Sequence, residues 1–186
     1  MTRMLLGLLL LVFSLAGCAQ SGDDRENTIY LDTKYGRVVI QLRPDLAPKS
    51  VERIKQLTRE NFYDNVPFHL VIPGRIVETG DGQFGNGTGI SKYPNLPAEI
   101  SNERFDRGVV GMARKEDDYE SANSQFFIVL ADTHAMIGLN GKYTVVGKVV
   151  SGMHLVDKIK KASPSQGGAA SNPDMIVRMQ VAADGQ

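Results

Sequence analysis

Cysteine is almost missing from this chain. Cys18 is the only one in 186 residues, and there is no tryptophan. A single cysteine excludes an internal disulfide and a cysteine-based metal cage, so the fold must rest on its core. An excess of either charge is also missing, with Lys plus Arg and Asp plus Glu at 21 each. No basic stripe or acidic tail argues for a nucleic acid or a polyanion as partner. His69, His134 and His154 lack metal-ligand spacing, so no metal is expected, and no motif suggests a Ser–His–Asp arrangement. What is there is ordinary globular composition, in a chain long enough for one domain with a real core.

The first residues read as a targeting segment. Arg3 precedes Leu5–Leu15, an apolar run of 11 residues that is too short to span a bilayer comfortably. It ends in Leu15-Ala16-Gly17-Cys18, which resembles a bacterial lipobox. The resemblance implies cleavage before Cys18, then thioether lipidation and N-acylation of Cys18. An ordinary signal peptide or a buried apolar segment is the alternative, and the position of the sole cysteine favours lipidation. The expected division is a lipoprotein signal peptide over 1–17, a lipidated polar tether over 18–26, one domain over 27–182 and a tail over 183–186. Several acyl chains on one residue anchor firmly, which expects a protein held to a bacterial membrane with its domain outside the cytoplasm. Ala19 stands where an aspartate would favour the inner membrane of Gram-negative bacteria, so the outer membrane is favoured there.

Within the domain, Thr28–Asp32 and Arg37–Leu42 alternate like strands, with Lys34-Tyr35-Gly36 as the turn of a hairpin. Pro48 suits the first turn of a helix, and Val51, Ile54 and Leu57 form one apolar stripe ending near Asn61. A second helix is expected over Met153–Lys161, with Leu155, Val156 and Ile159 facing inward. Strands are expected at Phe68–Ile72, Ile76–Thr79, Val109–Ala113, Gln125–Leu130, Thr144–Val150 and Met175–Val181. Gly80–Leu96 and Ala162–Pro173 read as long loops. Many short strands with two helices suggest a closed antiparallel barrel, since closure removes exposed edges.

Two blocks carry more. One reads FHLVIPGRIVETGD from Phe68, and the other GMARKEDDYESANSQFFI from Gly111. With Asn86-Gly87-Thr88-Gly89 and Leu139-Asn140-Gly141-Lys142-Tyr143, this ordered set resembles the ligand groove of the cyclophilins, a family of peptidyl-prolyl isomerases. The resemblance covers about Asn27 to Val181. It implies a mainly β fold, a closed eight-stranded antiparallel barrel capped by two α-helices. It also implies a protein without cofactor that binds proline-containing segments, which the targeting segment makes those of exported proteins; a monomer is expected. Phe127, Ile76 and Leu139 match the proline pocket, and Tyr143 the turn that closes it. Gln125 matches the glutamine that binds the substrate backbone, Ala113 the rim, and His69 a structural histidine. The glycine-rich loop lacks the Lys-Ser/Thr of a phosphate cradle.

Three departures cluster in the groove. Leu70 stands at the family's catalytic arginine, Arg75 at a phenylalanine of the pocket wall, and Glu78 at the glutamine that steadies the arginine. Rotation about X–Pro needs a pocket for the ring and a donor for the imide nitrogen, and leucine donates nothing. One expectation is that Arg75 sends its guanidinium into the space left by arginine, with Glu78 as counter-ion. Two functions follow. One is an isomerase, weakened at Leu70, that speeds folding after export. The other is a binding protein that holds proline segments without turning them over.

Overall fold

The strands Thr28–Thr33 (β1) and Gly36–Leu42 (β2) bury alternate residues, the period of a strand with one face on a core. They pair antiparallel from Thr28↔Gln41 to Thr33↔Gly36, and Gly36 closes the turn at φ +128°, where a side chain would be strained. The computed structural model describes residues 22–131, 134–161 and 172–185. The apolar run Leu5–Leu15, Cys18 and most of the expected loop Ala162–Pro173 lie outside the described residues.

The remaining strands are Leu70–Ile72 (β3), Ile76–Thr79 (β4), Val109–Met112 (β5), Phe126–Val129 (β6), Val145–Ser151 (β7) and Ile176–Val181 (β8). Each falls within two residues of the sequence expectation at either end. Among the described residues they form one eight-stranded antiparallel sheet in the order β3-β4-β6-β5-β7-β2-β1-β8. The mainly β class holds, but the closed ring does not. β3 and β8 end the sheet and share no ladder. They are linked through the isolated bridge Pro67↔Met175, with the Phe68 N–H donating to the Asp174 carbonyl at 2.9 Å. The physical reason is local. β3 has only three residues, and Pro67 has no N–H to extend the pairing. The sheet is therefore a half-barrel.

Its concave face is filled by the inward side chains of the strands and by Val51, Ile54 and Leu57 of Pro48–Arg59 (α2), the stripe read from the sequence. Each such side chain contributes about 1.5–3 kcal/mol of burial. The helix has Pro at its start and Ala47 at its N-cap, which offers no side-chain acceptor. Glu99 supplies one from a distant loop, accepting the N–H of Lys49 at 3.0 Å and of Ser50 at 2.8 Å.

Two expectations change. The second helix, Met153–Val156, is four residues long rather than nine. Beyond it the chain continues in tighter turns, Lys158 to Leu155 and Ile159 to Val156, until the Lys160 N–H meets the Asp174 carboxylate. The inner face is nonetheless right, since Val156 and Ile159 are buried. The described end of the tether is also part of the fold. Gly22–Glu26 is a short helix (α1), and Arg25 donates to the carbonyls of Ala182 and Gly185. Arg59 of α2 bridges Glu26 and Asp184, so the expected tail is tied down as well.

Candidate active site

Adjacent strand residues point to opposite faces, and here each face has its own apolar cluster. Val77, Phe126 and Ile128 enter the main core, whereas Ile76, Phe127 and Val129 enter a second, smaller cluster. The Phe126-Phe127 pair is split accordingly. Phe126 meets Tyr63 edge-on at 5.6 Å, while Phe127 stacks on Phe105 at 5.6 Å and meets Tyr143 edge-on at 5.8 Å. Ile76, Ala113, Leu139 and Tyr143 pack half-buried against this second cluster. Every apolar residue that the resemblance assigned to the proline pocket is thus brought together.

Phe105 is the member the sequence reading missed. It sits in a loop without periodicity, and its N–H donates to Asn140 Oδ1 at 2.9 Å, which ties that loop to the Leu139–Tyr143 turn. Gly111 of β5 lies beneath the ring stack. A Cβ there would come within 2.6 Å of Phe127 and 2.7 Å of Phe105. Gly111→Ala is expected to push both rings into the pocket, costing about 1–3 kcal/mol and weakening proline-peptide binding. Thermal melts and a peptide titration check this, and a variant indistinguishable from wild type in both would refute it.

The polar side of the groove is carried by Gln125, Glu78 and the glycine-rich loop. Gln125 Nε2 donates to the carbonyls of Gly87 at 3.2 Å and Gly89 at 2.7 Å. A cavity of about 440 Å³ lies here, lined by Glu78, Gly87–Ile90, Ala113, Arg114 and Gln125 among others. A second, of about 590 Å³, is lined by Arg75, Arg114, Glu116, Leu139, Lys142 and Tyr143 among others. Gly138 opens onto it, since a Cβ there would meet nothing within 4 Å. Arg114 lines both cavities and is fully engaged. Its guanidinium lies 3.9 Å from the Tyr119 ring centre and 4.5 Å from that of Tyr143, and it donates to the carbonyls of Lys142, Lys115 and Glu116. The acidic run around it, Glu116–Asp118 and Glu120, is exposed.

The expected Arg75–Glu78 pair is not formed. Ile76 and Glu78 share the groove face of β4, while Arg75 sits at the exposed turn before the strand. Glu78 Oε1 instead lies 3.4 Å from His69 Nε2, a long contact from a histidine that is 8% exposed. Among the described residues the Arg75 guanidinium has no hydrogen-bond or ion-pair partner. Leu70 is the cross-strand partner of Glu78 and is half-buried, so the departure faces the groove directly. Among the described residues, no cluster of three His, Cys, Asp or Glu could hold a metal.

An eight-stranded antiparallel half-barrel with an aromatic pocket on its outer face, flanked by a glutamine and a glycine-rich loop, defines a cyclophilin-type peptide groove. The family model described as cyclophilin type peptidyl-prolyl cis-trans isomerase/CLD matches residues 28–181. A probable peptidyl-prolyl cis-trans isomerase of Brucella suis is 55% identical over 174 residues, covering 88% of this chain and 87% of that protein. A peptidyl-prolyl cis-trans isomerase of Acinetobacter baylyi is 33% identical over 179 residues, covering 90% and 92%. Among solved structures, the cyclophilin AquaCyp293 of Hirschia baltica superposes with a TM-score of 0.75 at 21% identity, covering 87% of this chain and 76% of that one. A Cryptosporidium parvum cyclophilin type isomerase, solved in the presence of the dipeptide Ala-Pro, gives 0.72 at 24% identity, covering 83% and 98%. The chain belongs to the cyclophilin-type peptidyl-prolyl cis-trans isomerase family.

Proposed function

We propose that this protein is a lipid-anchored isomerase of the bacterial envelope that acts on X–Pro bonds of proteins folding after export, with catalysis slowed by Leu70. The observation that carries the isomerase part is the meeting of Ile76, Ala113, Phe127, Leu139 and Tyr143 in one apolar cluster outside the main core. Such a pocket grips a pyrrolidine ring, and Gln125 beside it suits a substrate backbone. Uncatalysed X–Pro isomerisation takes tens of seconds or more, slow enough to limit folding. The envelope part rests on Leu15-Ala16-Gly17-Cys18, and Ala19 favours the outer membrane in a Gram-negative cell. In this reading the protein is a monomer, and it needs no cofactor because rotation about an amide involves no covalent step.

Arg75 is the donor in this reading. It lines the same cavity as Leu139 and Tyr143, and unlike Arg114 its guanidinium is not spent on carbonyls. Arg75→Ala is expected to lower kcat/KM for a proline tetrapeptide by about tenfold or more, the scale of one lost charged donor. Unchanged turnover would remove Arg75 from the mechanism. The second reading, a proline-peptide holder without catalysis, is favoured by Leu70 standing directly across from Glu78. Isomerisation measured without a coupling protease, beside peptide affinity, separates the two. Binding without turnover selects the holder.

A further inference from the structure

Asp81 is an ionised group buried without a cation. It lies two residues beyond the end of β4, it is 1% exposed, and among the described residues it forms no ion pair. Its charge is met by backbone amides alone. Oδ1 accepts the N–H of Gln83 at 3.1 Å and of Phe84 at 2.9 Å. Oδ2 accepts those of Asn86 at 3.1 Å, Gly87 at 2.9 Å and Gly89 at 3.0 Å. Burial alone would raise its pKa, but the amides of Phe84, Gly89 and Asn86 outweigh it and hold the carboxyl well below the usual aspartate range. Gly89 cannot be replaced without displacing this carboxylate, since a Cβ there would sit 2.1 Å from Oδ1.

Two of the residues held by Asp81 also hold Gln125. The N–H groups of Gly87 and Gly89 point to Asp81, while their carbonyls accept the two donors of Gln125 Nε2. With both amide protons spent there, Oε1 of Gln125 has no donor among the described residues and is an acceptor suited to a substrate N–H. A loop with glycine at 82, 85, 87 and 89 has no regular structure to keep those carbonyls in place.

We propose that Asp81 is a positioning residue, which by gathering the amides of the 82–89 loop aims Gln125 with its carbonyl oxygen toward the bound peptide. This rests on the reading of Gln125 as a substrate contact. Asparagine at 81 could serve one side of the hub, but its NH2 would meet donors on the other.

The test compares full-length wild type, Asp81→Asn, Gln125→Ala and the double variant in isomerisation kinetics and peptide affinity. Asp81→Asn is expected to lower kcat/KM about tenfold, mainly by weaker binding, and to cost nothing further once Gln125 is alanine. Multiplying losses in the double variant overturn the proposal. Coupling is reciprocal, so Gln125→Ala is expected to speed hydrogen exchange at the Gly87 and Gly89 amides. Unchanged exchange there overturns the proposal even if Asp81→Asn does not fold. If Gln125→Ala speeds exchange but leaves turnover and affinity intact, Gln125 is not a substrate contact and the catalytic inference falls. If wild type binds peptide without turning it over, affinity carries the same comparison.

Discussion

Leu70→Arg is expected to raise kcat/KM for a proline tetrapeptide by about 10²–10³, the range over which one donor at a developing charge acts. Amide resonance sets a rotation barrier of about 18–20 kcal/mol, and a donor to the imide nitrogen weakens that resonance. Leu70 offers no donor, yet it occupies the place from which one could act. It is half-buried on β3, and its Cα partner across the strand pair is Glu78. Side chains opposed in this way stand about 4.5–5.5 Å apart at Cβ, so a guanidinium at 70 would rise beside the Glu78 carboxylate. That contact orients the arginine and keeps it charged. A rate rise without a matching rise in affinity is the signature of a contact made in the transition state. No gain from an active wild type would mean that the groove already has its donor, with Arg75 in that role.

Phe127→Ala is expected to remove proline-peptide binding and to destabilise the domain by about 3–5 kcal/mol, the usual cost of an aromatic cavity in a core. For a chain of this size that is a fall in Tm of roughly 10 °C. Phe127 is 3% exposed and holds Phe105 and Tyr143 in place, so its loss collapses the pocket wall as well as emptying it. The neighbouring residue supplies the control. Phe126 is as deeply buried but packs on Tyr63 in the main core. Phe126→Ala should cost similar stability while the molecules that remain folded still bind peptide. Melting curves and calorimetric titration on both variants decide it. Equal loss of affinity in the two would show that the second cluster is not a separate pocket.

Much of this was legible from residue order because strands write their faces into alternate positions. Ile76 and Val77, or Phe126 and Phe127, must point apart once they lie on a strand, whatever the rest of the chain does. The apolar stripe of α2 and the turn at Gly36 follow from equally local rules. The length of the second helix was not legible, because it ends where the Lys160 N–H finds Asp174. Sheet closure was not legible either. It failed at Pro67 and a three-residue β3, where the sequence offered only another apolar run. Phe105 was hidden because a lone aromatic in an aperiodic loop has no local signal of what it will stack on.

The charged residues divide in the same way. That Leu70 lacks a donor, that Arg75 and Glu78 are charged, and that Cys18 is alone are properties of the chain as written. That Glu78 lies near His69 rather than Arg75, that Arg114 is spent between two tyrosines, and that Asp81 holds the loop that holds Gln125 came only from the tertiary structure. Side-chain chemistry and periodicity act over a few residues and can be read in order along the chain. Partners of a polar group are settled by what folding brings within about 3 Å, often from tens of residues away, and that distance is not encoded in any local stretch.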